Sequence, residues 1–138
     1  MTAELRIVDV ELGKRSYPVV IGPGALDKLS SVLPPGTKRV AVVTQADISV
    51  MVEPGVECRT FLVSGSEEVK NLSTIEHLCS QWAQWGLTRS DAVVGVGGGL
   101  VTDLAGFAAS VYHRGLPVIY VSTTLLGQID ASVGGKTG

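Results

Sequence analysis

At 138 residues the chain is long enough for one domain with a real core and too short for two ordinary ones. A net charge of -2 provides no basic field, which argues against nucleic acid as a partner. Hydrophobic residues make up 45% and charged ones only 17%, yet the apolar stretches 92–111 and 115–129 are broken by Gly97–Gly99, Asp103, Pro117 and Thr123–Thr124, so no membrane span is expected.

"MTAELRIVDV" carries an early acid and no apolar leader core, against a signal peptide. "LRIVDVELG" (5–13) and "SYPVVIG" (16–22) are β-branched runs joined by turn residues, and predict a hairpin. Pro23 opens a short helix, "PGALDKLSSVL", closed by "PPG". "KRVAVVT" (38–44) reads as a buried strand, and "QADISVMVEPGVECRTFLV" leaves room for one or two helical turns before a strand at Cys58–Val63. In "NLSTIEHLCSQWAQWG" the apolar Ile75, Leu78, Cys79, Trp82 and Trp85 recur every three or four residues, the pattern of an amphipathic helix capped by Gly86. "DAVVGV" is a strand, "GGGLVTDLAGFAASVYH" a glycine turn opening a helix, and "LPVIYVS" another strand. Strands alternating with helices predict a doubly wound, mostly parallel Rossmann-like α/β sheet covered on both faces, in one domain over residues 1–138. Cys58 and Cys79 are too few for a disulfide scaffold or a zinc cluster, and are expected as buried thiols in a reducing cytoplasm.

Ten of the seventeen glycines lie from Gly95 onward, and after Asp91 the only charged residues are Asp103, Arg114, Asp130 and Lys136. Charges in so apolar a stretch are either expensive or useful, which makes this third the candidate site. In "VGVGGG" successive glycines turn a buried strand into a helix; they serve either tight helix packing or a phosphate held at the helix N-terminus. The usual dinucleotide fingerprint is missing, since Gly95-x-Gly97-x-x-Leu100 lacks its last glycine, and "GPGALD" (22–27) fails in the same way. The terminal "DASVGGKTG" is not a P-loop, because Asp130 stands where the first glycine belongs. Asp103, one helical turn after the glycines, either neutralises the helix dipole or accepts a hydrogen bond from a ligand hydroxyl. Thr123 and Thr124 follow a buried strand, as loop caps or as ligand contacts at the carboxyl edge of the sheet. His77 and His113 have no partner at metal-ligand spacing, so no metal site within the chain is expected.

Taken together, "VVGVGGGLVTDLAGFAASVYHRGLPVIYVSTTLLGQIDASVGGKTG" resembles the 3-dehydroquinate synthase family of sugar-phosphate cyclases, strongly after Asp91 and weakly before Ser64. The resemblance covers that family's N-terminal, cofactor-binding half; a helical second domain lies beyond it. It implies NAD as cofactor, with Gly98, Gly99 and Leu100 against the diphosphate, and Val101, Thr102, Asp103, Thr123, Thr124 and Leu126 also binding the dinucleotide. "SGSEEVK" is similar to the family's D-G-E-x-x-K and implies Glu67 and Lys70 at the adenosine ribose. Asp130 and Lys136 would face substrate or nicotinamide, and Arg114 would reach substrate phosphate in the site of a neighbouring subunit. The implied partners are a sugar-phosphate substrate and a second copy in a homodimer.

The implied reaction is a redox-neutral, phosphate-eliminating cyclisation of 3-deoxy-D-arabino-heptulosonate 7-phosphate to 3-dehydroquinate, formally a lyase, in the shikimate pathway. A divalent metal, zinc or cobalt, would polarise the reacting alcohol on ligands outside this chain, so these 138 residues are not expected to turn over alone. The alternatives are another cyclase of valiolone or inosose type, a glycerol-dehydrogenase-like enzyme, or a non-catalytic NAD-binding fragment. Three positions depart from the family pattern. Gln45 replaces an aspartate, Gly65-Ser66 replaces Asp-Gly, and the helix after Thr44 is short.

Overall fold

The computed structural model describes residues 4–124 and 127–128. Strands β1 (Arg6–Val10) and β2 (Tyr17–Ile21) form the expected antiparallel hairpin, with Val8 opposite Val19 and Ile7 opposite Val20. Its turn is a single 3-10 turn at Gly13–Arg15, braced by Ser16, whose hydroxyl donates to the Gly13 carbonyl and accepts the Leu12 amide. Ile7, Val8 and Ile21 are each more than half exposed, so the ribbon stands largely outside the core.

Pro23 and Gly24 lead into a 3-10 turn at Ala25–Lys28 that runs directly into α1 (Leu29–Val32), where Leu29 anchors the pair in the core. Four parallel strands follow: β3 (Arg39–Thr44), β4 (Glu57–Leu62), β5 (Ala92–Gly97) and β6 (Val118–Ser122), in the spatial order β4-β3-β5-β6. Helices α2 (Leu72–Trp85) and α3 (Gly99–Val111) cover one face, packed around Ala41, Val43, Phe61, Trp82, Val93 and Leu104. The opposite face holds Val40, Val42, Val94 and Val96 under Leu29. The doubly wound arrangement therefore forms as expected.

The segment after β3 departs from expectation. It makes one turn, in which the Ile48 amide donates to the Gln45 carbonyl, and then runs without helix to β4. Ile48, Val50 and Val52 alternate along it and pack on the second face of the sheet as an extended strap. β-branched residues at period two, closed by Pro54-Gly55, favour that path over a helix.

The thiols also differ from expectation. β4 is an edge strand, and Cys58 on it is exposed; Cys79 on α2 is half-buried. Edge position follows from strand order, which local sequence does not encode.

Asp91 fixes the amino end of the sheet. Its Oδ1 accepts the amides of Lys38 and Arg39, and its Oδ2 accepts the amide and hydroxyl of Thr88, at 2.8–3.3 Å. Burial pushes this carboxyl up, but the hydrogen bonds from Thr88, Arg39 and Lys38 outweigh it and hold the group below its ordinary value. Among the described residues no helix is long and apolar enough to cross a membrane.

Candidate functional site

The strand order reverses direction between β3 and β5: the chain moves outward from β3 to β4, then returns across β3 to lay down β5 and β6. In open parallel sheets such a reversal leaves a crevice at the carboxyl ends of the two central strands, because the loops there diverge to opposite faces. Here the crevice is bordered by Thr44-Gln45 on one side and Gly97-Gly98 on the other. Thr44 ties the two ends together: its hydroxyl donates to the Val96 carbonyl at 2.8 Å.

The three glycines have separate reasons. A methyl group on Gly97 would stand 2.7 Å from Val101 Cγ2 and 3.0 Å from Ile48 Cδ1, so this glycine admits packing from both faces. On Gly98 it would stand 2.9 Å from Thr124 Cγ2. Gly95, one turn of strand earlier, faces Ala105 of α3 at 2.8 Å in the same sense. Helix packing is therefore one real function of the run. The other is electrostatic. Gly98 is the N-cap of α3 and offers no capping side chain, and the first intrahelical bond is from the Thr102 amide to the Gly98 carbonyl. The amides at the start of this 13-residue helix thus face the crevice with the positive end of the helix dipole.

Val101 and Thr102 bring only their backbone to that opening. Val101 is fully buried, and the Thr102 hydroxyl turns back onto the Gly98 and Gly99 carbonyls at 3.2 and 3.3 Å. Leu100 packs against the core cluster. Thr123 and Thr124 are exposed beside the glycine turn, and the Thr123 amide donates to the Gly97 carbonyl at 3.0 Å.

Asp103 is buried, and its Oδ2 lies 2.7 Å from Lys70 Nζ; Lys70 also reaches Glu67 Oε2 at 3.5 Å. This hydrogen bond to Asp103, opposed by burial, holds the Lys70 ammonium above its ordinary pKa. The loop carrying Glu67 and Lys70 is pre-shaped. The Val69 and Lys70 amides close a 3-10 turn onto Ser66 and Glu67, and Asn71 caps α2 through the Thr74 amide while donating to the Glu68 carbonyl. Gln45 adds a tether on the β4 side of β3, its Nε2 donating to the Gly65 carbonyl at 3.1 Å. The two departures at Gln45 and Gly65 thus meet: an amide side chain can donate to that carbonyl, and an ionised aspartate cannot. Gly65 itself sits at φ +89, the left-handed region that favours glycine.

Arg114 is not brought to this cluster. It lies exposed beyond the C-terminal end of α3, roughly 20 Å of helix from Gly98. Leu126, Asp130 and Lys136 lie outside the described residues. Among those described, no three His, Cys, Asp or Glu side chains gather into a metal cradle.

Sequence reasoning missed Tyr120 and Ser122. The register of β6 on β5 puts Tyr120 beside Gly95 and Ser122 beside Gly97, on the α3 face of the sheet. Burial, with the Asp103 charge adding to it, pushes the Tyr120 phenol up. Strand alternation through Tyr120, Ser122 and Thr124 was the available signal.

Comparison with known proteins agrees with this fold. Residues 60–138 match the family model described as 3-dehydroquinate synthase N-terminal. A putative aminodehydroquinate synthase of Amycolatopsis mediterranei is 46% identical over 131 residues, covering 94% of this chain and 37% of that protein. The 3-dehydroquinate synthase of Caulobacter vibrioides is 42% identical over 146 residues, covering 96% of this chain and 39% of that protein. The chain spans roughly two fifths of the length of the curated relatives it matches. Among solved structures, 2-deoxy-scyllo-inosose synthase superposes with a TM-score of 0.79 at 25% identity, over 91% of this chain and 38% of that one. A 2-epi-5-epi-valiolone synthase of Streptomyces hygroscopicus, solved with NAD+ and Zn2+ bound, superposes with a TM-score of 0.76 at 30% identity, over 94% of this chain and 38% of that one.

Proposed function

The chain belongs to the 3-dehydroquinate synthase family, and from that premise we propose that it is the NAD-binding part of a cyclase that converts a heptulosonate 7-phosphate to 3-dehydroquinate with loss of phosphate. The observation that carries this reading is the uncapped N-terminus of α3 at the switch point of the sheet, with the Lys70–Asp103 pair beside it. The residues fit a dinucleotide. Free amides at the head of α3 suit a diphosphate, while Glu67, Lys70 and Asp103 offer acceptors and a donor for ribose hydroxyls.

Bound NAD would supply the hydride acceptor and donor that a redox-neutral cyclisation requires. The chain's own share is binding and orientation. The α3 amides hold negative charge, the buried Asp103 keeps Lys70 protonated and aimed, and Thr123 and Thr124 present hydroxyls at the carboxyl edge. Asp130 and Lys136 are proposed at the substrate side of the cofactor. Arg114, far from this crevice on its own chain, is proposed to serve the sugar phosphate of a partner subunit in a homodimer. A divalent metal is proposed to act in the same reaction on ligands from other residues of the full-length enzyme. Isothermal titration with NAD+ tests the cofactor reading: saturable binding that is abolished by Asp103→Ala supports it, and no heat at millimolar NAD+ overturns it.

The Amycolatopsis relative favours a second reading, in which the ring formed carries nitrogen, as aminodehydroquinate. Offering the full-length enzyme the oxygenated and the aminated heptulosonate phosphates in competition, with products read by mass, separates the two.

A further inference from the structure

The end of β6 and the residues after it form a small hydrogen-bond network around Thr124. Ser122 Oγ donates to the Thr124 carbonyl at 3.3 Å, and Thr124 Oγ1 accepts the Gly127 amide at 3.0 Å. The Gln128 amide also donates to the Thr124 carbonyl, at 2.9 Å, and its side-chain Nε2 donates to the Ser122 carbonyl at 3.4 Å. Thr124 lies directly on Gly98, where a methyl group would stand 2.9 Å from its Cγ2. Gly127 is buried, and a methyl group there would run into Ser122 Oγ and stand 3.0 Å from Thr124 Oγ1.

We propose that Ser122 and Gly127 are a matched pair of positioning residues, which together hold the Thr124 hydroxyl over the glycine turn as a hydrogen-bond donor. Thr124 Oγ1 accepts from the Gly127 amide, so its own proton is left to donate. That donor suits a group presenting an acceptor oxygen, as a diphosphate or a ribose does. Ser122 fixes the backbone of Thr124 by its hydroxyl, and that hydroxyl occupies the space a side chain at 127 would take. A larger residue at 127 requires the Ser122 hydroxyl to leave its present position, and with it the bond to the Thr124 carbonyl, or to be removed. The identity of the ligand rests on the dinucleotide reading above; the matched pair does not.

The test is a cycle in the whole chain of Ser122→Ala, Gly127→Ala and the double variant, read by thermal melting and by calorimetric titration with NAD+ at a temperature below every midpoint. Overpacking at 127 is expected to lower the melting midpoint by about 4 °C or more and to weaken NAD+ binding about 10-fold. The double variant is expected to return both readouts to the level of Ser122→Ala alone. Thr124→Ser should keep NAD+ affinity, and Thr124→Val should lose about 10-fold. The pair is overturned if Gly127→Ala behaves as wild type or if Ser122→Ala fails to rescue it. If wild type does not bind NAD+ but the melting cycle shows rescue, the cofactor reading falls and the pair stands. If wild type binds and rescue is absent, the pair falls and the cofactor reading stands.

Discussion

Lys70 and Asp103 meet at 2.7 Å between the loop that enters α2 and the first turns of α3, joining two segments that approach the crevice from different sides. Asp103 is about one-tenth exposed and Lys70 a little over one quarter, so water screens the pair less than it would a surface ion pair. A double-mutant cycle through Lys70→Met and Asp103→Asn should therefore give a coupling of about 1 kcal/mol, above the surface median. The Lys70 pKa is raised on folding, so the pair contributes fully below the unfolded lysine value and its contribution fades as pH rises through the folded one. Denaturation in urea at neutral and at strongly alkaline pH should show the coupling disappear at the alkaline end. A coupling unchanged by pH would mean that the pair is not what links these segments.

Asp91 carries the opposite sign. Its pKa is lowered on folding, despite burial, by four hydrogen bonds from Thr88, Lys38 and Arg39. The stability it contributes is present above the unfolded carboxyl value, near 4, and is lost as pH falls through the lower folded value. Asp91→Ala leaves the amides of Thr88, Lys38 and Arg39, whose bonds to it are part-buried, without their acceptor and should cost about 1–3 kcal/mol at neutral pH. The difference between variant and wild type should shrink in acid, measured as urea midpoints from pH 7 down to pH 2.

The sheet, α2 and α3 were legible because each announces its period: unbroken Val runs for strands buried on both faces, and Ile75-Leu78-Trp82 for a helix with one buried stripe. The 45–56 strap was misread because its alternation through Ile48, Val50 and Val52 is short and lies where an α/β chain ordinarily places a helix. Edge exposure of Cys58 depends on strand order, a long-range property. At the site, Glu67, Lys70 and Asp103 could each be singled out, but their meeting could not, since it depends on how α2 and α3 pack. The glycine run stayed ambiguous because one letter serves both purposes. Gly95 and Gly97 make room for α3, and Gly98 both receives Thr124 and leaves the helix head uncapped.

Gly95 gives that distinction a measurement. It faces Ala105, and a methyl group there would stand 2.8 Å from Ala105 Cβ, backed by Thr102 Cα at 3.8 Å. Backbone and a one-carbon side chain have no flexible end to move, so α3 must lift from the sheet. Gly95→Ala should cost about 1–3 kcal/mol in chemical denaturation. It should also weaken NAD+ binding, because the helix head moves with the helix. Loss of stability with unchanged affinity would show that the α3 amides do not contact the cofactor.

Arg114 lies at the other end of α3, and its backbone there is held in an unfavourable shape. His113 and Arg114 stand at φ 46 and 64, followed by Gly115 at 119, so two side-chain-bearing residues occupy the left-handed region in succession. Each such residue costs about 1 kcal/mol relative to glycine. Among the described residues the Arg114 guanidinium has no hydrogen bond or ion pair that would offset the cost. Arg114→Gly should therefore be more stable than Arg114→Ala by about 1 kcal/mol, since glycine relieves the strain and alanine keeps it. Both variants should bind NAD+ as wild type does, because a full helix separates them from the crevice. Both should lower turnover of a sugar phosphate by the full-length enzyme, and mixing either variant with a subunit defective at Asp103 should restore part of it if the arginine acts across a dimer. A drop in NAD+ affinity comparable to that of Asp103→Ala would place Arg114 at the cofactor instead and remove the case for a role in the partner's site.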